Sequence, residues 1–266
     1  MKKKNLIKNS IILIFGTTLP KIMLFITLPL YTFFLSKQEY GTYDIIMTLS
    51  TLIIPLATLQ LHSSIFRYLI DTKKLSEQKK IISTALMTIF FITLTLLLVA
   101  FCIPVVYNYE TKFNIYLYFA VNVIFQVFLE ISRGLGKKKQ YTLASIINAC
   151  FIVVLSTLFM YNLNNKILAA FASINLAGII TIVYLLIVTK IWKYISLKYV
   201  NKKLLKEMLV YSIPLIPNSL SWWIINVSDR FIIKLMLGVE ANAIYAVANK
   251  IPSIYSLFYN GFNLAW

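Results

Sequence analysis

Four basic residues sit where water is scarce. Lys21, Arg67, Arg230 and Lys250 fall inside long apolar runs rather than between them. A cation at the centre of a membrane helix costs about 2.5–3.5 kcal/mol on insertion scales. The cost falls near the interface, where a long side chain reaches back to the headgroups. Arg67 is close to the end of its run and Lys250 is one turn inside the start of its own, so both can snorkel. Lys21 lies near mid-run and has no such escape. Arg230 directly follows Asp229, which offers local charge compensation, but neighbours on a helix do not face one another. Asp229 is the acid deepest in a run and is the candidate for coupling to an ion.

Neutral polar side chains enrich the two runs that carry Arg230 and Lys250. Asn218, Ser219, Ser221, Trp222, Trp223, Asn226 and Ser228 lie in one run, and Asn249, Ser253 and Asn260 in the next. Helix–helix hydrogen bonds explain some of them. Their density suggests a water-filled interior surface. His62, the single histidine, is read first as a packing residue and second as a proton relay.

Catalytic patterns are missing. No acid–base pair, nucleophile triad or phosphate loop is visible. Gly134-Leu135-Gly136 has no strand–helix setting for a dinucleotide and suits a tight turn. Cys102 and Cys150 both lie in apolar runs, without a C-x-x-C or Cys/His cluster, so neither a metal nor a redox site is supported and no cofactor is expected. Glu130 and Arg133 are spaced as an i,i+3 pair and read as structural.

The elements that must hold these residues are membrane helices. The chain of 266 residues is 59% hydrophobic and 13% charged, with a mean hydropathy of +0.79. A soluble domain needs roughly 25% charged residues, so lipid is the expected solvent. Eight runs approach the ~20 residues that span a bilayer: 9–35, 43–70, 80–107, 114–134, 141–162, 168–189, 209–236 and 243–266. They are continuous rather than alternating, which excludes a β-barrel and leaves helices that satisfy their own backbone. The expected class is therefore all-α, a polytopic transmembrane bundle. The N-terminal run is too long for a signal peptide and lacks a cleavage site.

Net charge is +17, yet the basic residues cluster in the short gaps and match no nucleic-acid module, so nucleic acid is not expected as a partner. With the N-terminus inside, the inner segments carry 18 Lys and Arg and the outer segments 4. That bias sets a cytoplasmic N-terminus. The longest inner gap holds Trp192, Tyr194, Leu197 and Tyr199 among lysines and reads as an amphipathic surface segment. It divides the chain into an N-terminal six-helix bundle at 1–190, a linker at 191–207, and the start of a second bundle at 208–266. The chain ends at Trp266 within an apolar run, and is read as truncated.

A shift of 202 residues superimposes Gly41-Thr42-Tyr43 on Ala243-Ile244-Tyr245 and the first two runs on the seventh and eighth. Six runs separate the copies, so both insert in the same direction, as in parallel-repeat transporters. Six of the seven prolines (Pro20, Pro29, Pro55, Pro214, Pro217 and Pro252, but not Pro104) fall in these four runs. Each removes a backbone hydrogen bond and invites a kink.

Three stretches resemble one family. They are Asn9-Ser10-Ile11 through Pro29-Leu30-Tyr31 to Glu39-Tyr40-Gly41-Thr42-Tyr43; Arg133-Gly134-Leu135-Gly136-Lys137; and Ser212-Ile213-Pro214-Leu215-Ile216-Pro217 with Ser228-Asp229-Arg230-Phe231, Leu237-Gly238 and Ala243-Ile244-Tyr245-Ala246-Val247-Ala248-Asn249-Lys250-Ile251-Pro252. The chain resembles the bacterial lipid-linked oligosaccharide flippases, the Wzx type of the MATE-like superfamily. The resemblance implies two bundles that alternate access around a cationic cavity. It also implies translocation of an isoprenoid-pyrophosphate-linked sugar across the cytoplasmic membrane for surface polysaccharide assembly. Other membrane proteins of that assembly are expected partners. Lys21, Arg67, Arg230 and Lys250 would then face the pyrophosphate, and Asn218, Trp222, Trp223 and Asn226 the sugar. A cation-coupled exporter on the same fold is the second reading. An integral membrane glycan-assembly enzyme is the third, disfavoured by short outer loops.

Overall fold

A computed structural model describes residues 18–23, 25–102, 109–250 and 252. Among them every regular element is helical. In chain order these are α1 (Thr18–Phe34), α2 (Lys37–Ala57), α3 (Leu61–Ile70), α4 (Leu75–Cys102), α5 (Tyr109–Gly134), α6 (Lys138–Asn162) and α7 (Lys166–Thr189). Two 3₁₀ turns, Ile191–Tyr194 and Leu197–Tyr199, lead to α8 (Lys202–Ser212) and α9 (Leu215–Leu237). A last helix, α10, covers 239–250. The N-terminal lysines Lys2, Lys3, Lys4 and Lys8, the stretch Asn9-Ser10-Ile11, Pro104, the Cys102 side chain, and Ser253, Asn260 and Trp266 lie outside the described residues.

Wherever the eight expected runs fall on described residues, they are helical over most of their length. Six are long and apolar enough to cross a membrane: α2, α4, α5, α6, α7 and the α8–α9 stretch. The first and eighth runs extend beyond the described residues, which accounts for the lower number. The chain is a multi-pass membrane protein.

The second run is not one continuous span. It breaks at Thr58–Gln60, where Leu59 (φ 47°) and Gln60 (φ 54°) adopt the left-handed region. Pro55 lies in the preceding turn. Side chains bond at the break: the Thr58 hydroxyl donates to the Ile54 carbonyl at 2.9 Å, and the buried Gln60 side-chain amide donates to Ser219 Oγ. Such bonding helps make irregular backbone tolerable in an apolar setting.

Ends are capped as the residue types require. Ser36 and Glu39 exchange hydrogen bonds at the start of α2, with Ser36 N–H donating to Glu39 at 2.9 Å and Glu39 N–H to Ser36 Oγ at 3.2 Å. This is a capping box. At the end of α5, Lys137 N–H donates to the Ser132 carbonyl and Gly136 N–H to that of Arg133. Gly136 supplies the positive φ of 75° that this Schellman turn needs. The expected tight turn is thus real.

The chain forms two compact units. One comprises 1–49, 142–177 and 226–266, and the other 50–141 and 178–225. The first has a core of Tyr31, Leu35, Tyr40, Met160, Ala169, Ala170, Ala243 and Ala246. The alanines allow helix backbones to approach closely. The Tyr31 hydroxyl joins a buried chain through Ser156 to Ser173, at 2.8 and 2.9 Å. In the second unit α3 lies against α5, with Leu69 packed on Gly134 so closely that a Cβ there would sit 2.7 Å away. Arg133 pairs with Glu130 at 3.6 Å and stacks on Phe66 with 4.0 Å to the ring centre. The pair that the i,i+3 spacing of Glu130 and Arg133 led one to expect is thus present.

Candidate functional site

The first unit holds a polar cluster built from α2, α9 and α10. Asp44 lies seven residues after the start of α2 at Lys37, and Arg230 seven before the end of α9 at Leu237. Helices of opposite direction therefore bring the two to one level. Arg230 Nη1 donates to Asp44 Oδ1 at 2.5 Å and to Thr48 Oγ1 at 3.3 Å. Asp44 and Thr48 are four residues apart and share one face of α2. The remaining Asp44 oxygen accepts from the Asn242 amide at 3.5 Å. The same amide nitrogen reaches the Gly41 carbonyl at 3.4 Å.

Asp229 is held separately. One carboxylate oxygen accepts from the backbone N–H of Arg230 at 2.8 Å, and the other from the Tyr245 hydroxyl. Local compensation between Asp229 and the Arg230 guanidinium, which the sequence offered, is not what the structure shows. The guanidinium turns to Asp44 because consecutive helical side chains diverge. Asn242 and Tyr245 sit three apart on α10, one turn of a single face. Lys250 lies further along α10, near enough for its charge to act on Asp44 and Arg230.

The electrostatics are balanced but not exhausted. Asp44 faces Arg230, with Lys250 close enough to act on both, while Asp229 is occupied by Tyr245 and the Arg230 backbone N–H. The Asp44 side chain is 5% exposed and that of Arg230 18%, so the pair is mostly removed from water and weakly screened. A guanidinium carries five N–H donors in a planar fork. Among the described residues only Nη1 of Arg230 is engaged, which leaves Nε and Nη2 for another acceptor.

The other expected site residues are dispersed. Lys21 is an exposed residue of α1 in the first unit. Arg67 belongs to the second unit and pairs with Asp71 one turn on, at 3.3 Å, both more than half exposed. Asn218, Trp222 and Trp223 lie on the part of α9 assigned to the second unit; Asn226 opens the part assigned to the first. Asn218, Trp222 and Asn226 are exposed and Trp223 is half-buried. His62 shares a hydrogen bond with Thr58 at 3.1 Å beside the α2–α3 break. Among the described residues no group of three or more His, Cys, Asp or Glu could hold a metal ion. Sequence reading passed over Asp44, Thr48, Asn242 and Tyr245 as cluster members. One signal was available for Asp44, since counting depth from opposite helix ends puts it level with Arg230.

Similarity to known proteins matches this arrangement of helices. A family described as polysaccharide biosynthesis protein matches residues 6–266. The chain belongs to that family. No curated protein matches at a significant level. Among solved structures, this family member is similar to a multidrug resistance MATE family transporter of the MOP superfamily in an outward-facing conformation, with TM-score 0.72 and 18% identity over 99% of this chain and 63% of that one. It is similar also to a MOP superfamily transporter from Pyrococcus furiosus, for which a binding pocket of reverse polarity suggests a different function, with TM-score 0.71, 18% identity and coverage of 99% and 63%. A third, MATE in complex with MaL6, gives TM-score 0.70, 17% identity and the same coverage. At such identities the likeness concerns the fold, which is the polytopic helical bundle of the two-bundle, parallel-repeat transporters. The chain spans a little under two thirds of the length of these relatives.

Proposed function

We propose that this family member is part of a flippase that carries an isoprenoid-pyrophosphate-linked oligosaccharide across the cytoplasmic membrane for surface polysaccharide assembly. The observation that supports it most is Arg230, whose guanidinium is held by Asp44 through Nη1 while Nε and Nη2 have no partner among the described residues. A pyrophosphate leaving water needs cations that are already desolvated and aimed. Its oxygens can compete with Asp44 for Nη1 while also engaging the free edge of the fork. Asp44 would release Arg230 to the substrate, keep the Asn242 amide as its remaining partner, and take the guanidinium back when the substrate departs. Lys21 and Arg67 are secondary contributors in this reading, and Asn218, Trp222, Trp223 and Asn226 offer amides and aromatic faces to the sugar.

The reading places the bundle boundary at the linker 191–207, with 1–190 before it and 208–266 opening the second bundle. The Asp44–Arg230 pair then crosses from one bundle to the other, and its making and breaking accompanies alternating access. It also places the N-terminus in the cytoplasm, and makes the protein a carrier rather than an enzyme. A cation-coupled exporter on the same fold is the second reading, favoured by two acids in the cluster, Asp44 and Asp229.

The test is complementation of a deletion strain with the full-length gene, scoring the leaflet in which lipid-linked oligosaccharide accumulates. Accumulation on the cytoplasmic leaflet in the deletion supports the flippase. Normal translocation with altered drug sensitivity moves the reading to the exporter, and normal translocation with short glycan to an assembly enzyme.

A further inference from the structure

Helix α8 presents two unlike stripes to its surroundings. Its inner stripe, Met208 and Ser212, is fully buried, and the Met208 carbonyl accepts from the Ser64 hydroxyl at 3.1 Å. That contact fixes the rotation of α8 in the second unit. Outward lie Lys202, Lys206, Val210 and Ile213 in successive turns. Lys202 and Lys206 are exposed and have no acidic partner among the described residues. Like charges at i,i+4 repel one another, so nothing in the helix itself favours placing both on one stripe. On the neighbouring stripe Lys203 and Glu207 have the complementary spacing instead. The two stripes therefore differ in kind: one balances its charge, and the other leaves two cations facing outward.

Those cations sit at one end of a groove. Lys202, Leu205, Lys206, Leu209, Val210, Ile213 and Pro214 line an open depression of about 530 Å³. Beyond the two lysines the lining is wholly apolar, with Val210 66% and Ile213 49% exposed. At 1.5 Å per residue the groove runs roughly 16 Å along the axis from Lys202 to Ile213. A charged head at one end and an apolar trough of that length is the complement of an anionic amphiphile. The adjoining turns carry Trp192, 48% exposed, and Leu197, 73% exposed, and Lys79 lies over the Tyr199 ring at 5.6 Å. Exposed aromatic and basic residues of this kind mark the level of lipid headgroups.

We infer that the α8 groove binds an anionic phospholipid, with Lys202 and Lys206 holding the phosphate and Leu205, Leu209, Val210, Ile213 and Pro214 seating one acyl chain. The site shares no residue with the Asp44–Arg230 cluster and does not depend on what the protein transports. Basic residues close to a membrane surface attract anionic lipid. The groove adds a seat for a chain, which turns a diffuse attraction into a site.

The experiment is native mass spectrometry of the purified chain in detergent, titrated with phosphatidylglycerol, phosphatidylcholine or an isoprenyl phosphate. Phosphatidylglycerol is expected to be retained in preference. Retention should fall roughly thirtyfold in Lys202→Gln/Lys206→Gln, in line with the loss of two basic contacts near a membrane surface. The control Lys138→Gln/Lys139→Gln should leave it unchanged. Val210→Trp, which fills the trough and keeps both lysines, should also lower retention. Equal retention of the two lipids overturns the proposal. So does an equal loss in the control, which would mean general surface attraction. Preferential retention of an isoprenyl phosphate also overturns it, and makes the groove a path for substrate.

Discussion

Arg230 on α9 and Asp44 on α2, 186 positions apart in the chain, are joined through Nη1 and Oδ1. Neither is at home in an apolar helix alone. Removing one partner of a buried ion pair costs about 3–5 kcal/mol, because the other is left uncompensated. Arg230→Ala is thus expected to abolish export while the protein still inserts. Asp44→Asn/Arg230→Gln should recover thermal stability relative to either single variant, yet remain inactive. Surface glycan and melting in detergent are the two readouts. Normal glycan in Arg230→Ala would remove Arg230 from the site.

Arg67 offers the contrasting case. Its pair with Asp71 is more than half exposed on both sides, and exposed pairs contribute little, about 0.2–1 kcal/mol. Arg67→Ala is expected to reduce export only mildly and leave the melting point within a few degrees of the parent (a shift of about 1 kcal/mol moves a domain this large by ~2–4 °C). A defect deeper than that of Arg230→Ala would show that Arg67 touches substrate.

Tyr245 tests whether Asp229 belongs to the working cluster. Tyr245→Phe keeps the ring and deletes the hydroxyl that donates to Asp229. Losing a hydrogen bond to a charged acceptor costs about 1.5–3 kcal/mol. If Asp229 only anchors the α9 backbone, export should follow stability, and both should fall together. If it couples an ion, the dependence of export on the driving cation gradient should change in Tyr245→Phe while Asn242→Ala leaves it in place. Rates in proteoliposomes with and without that gradient decide between them.

Much of the fold was legible because lipid imposes a coarse rule. A continuous apolar run must be a helix, and the runs at 114–134, 141–162 and 168–189 match α5, α6 and α7 within a few residues. The Gly134-Leu135-Gly136 turn was readable from its residue types alone. The α2–α3 break was not. Apolar content is the same on both sides of Thr58, and the break depends on Gln60 finding Ser219, a tertiary partner 159 residues away. The site was legible in part for the same reason. Cations inside apolar runs flagged Arg230 and Lys250, whose cost is local. Which acid answers Arg230 is a matter of helix adjacency, and Asp44 looked unremarkable near the end of its run. Trp222 and Asn226, by contrast, were chosen by composition, and composition says nothing about which way a side chain faces.

Gly41 provides the sharpest check on how α2 meets α10. The shift of 202 residues superimposes Gly41-Thr42-Tyr43 on Ala243-Ile244-Tyr245, and the structure packs these two stretches side by side. The Asn242 amide reaches the Gly41 carbonyl, and a Cβ on Gly41 would sit 2.2 Å from the backbone oxygen of Val239. That oxygen belongs to main chain and cannot rotate away. In an exposed helix, Gly→Ala would stabilise by about 1 kcal/mol through propensity. Here the expected sign is reversed: Gly41→Ala should lower the melting point and, by displacing α10, loosen Asn242 from Asp44. Gly136 serves as the reference, because a Cβ there meets nothing within 4 Å and Ala would incur only the left-handed penalty of about 1–2 kcal/mol. Gly41→Ala should therefore cost more than Gly136→Ala and should alone impair export. If Gly41→Ala instead raised the melting point, the close approach of α2 to α10, and with it the third wall of the Asp44–Arg230 cluster, would be wrong.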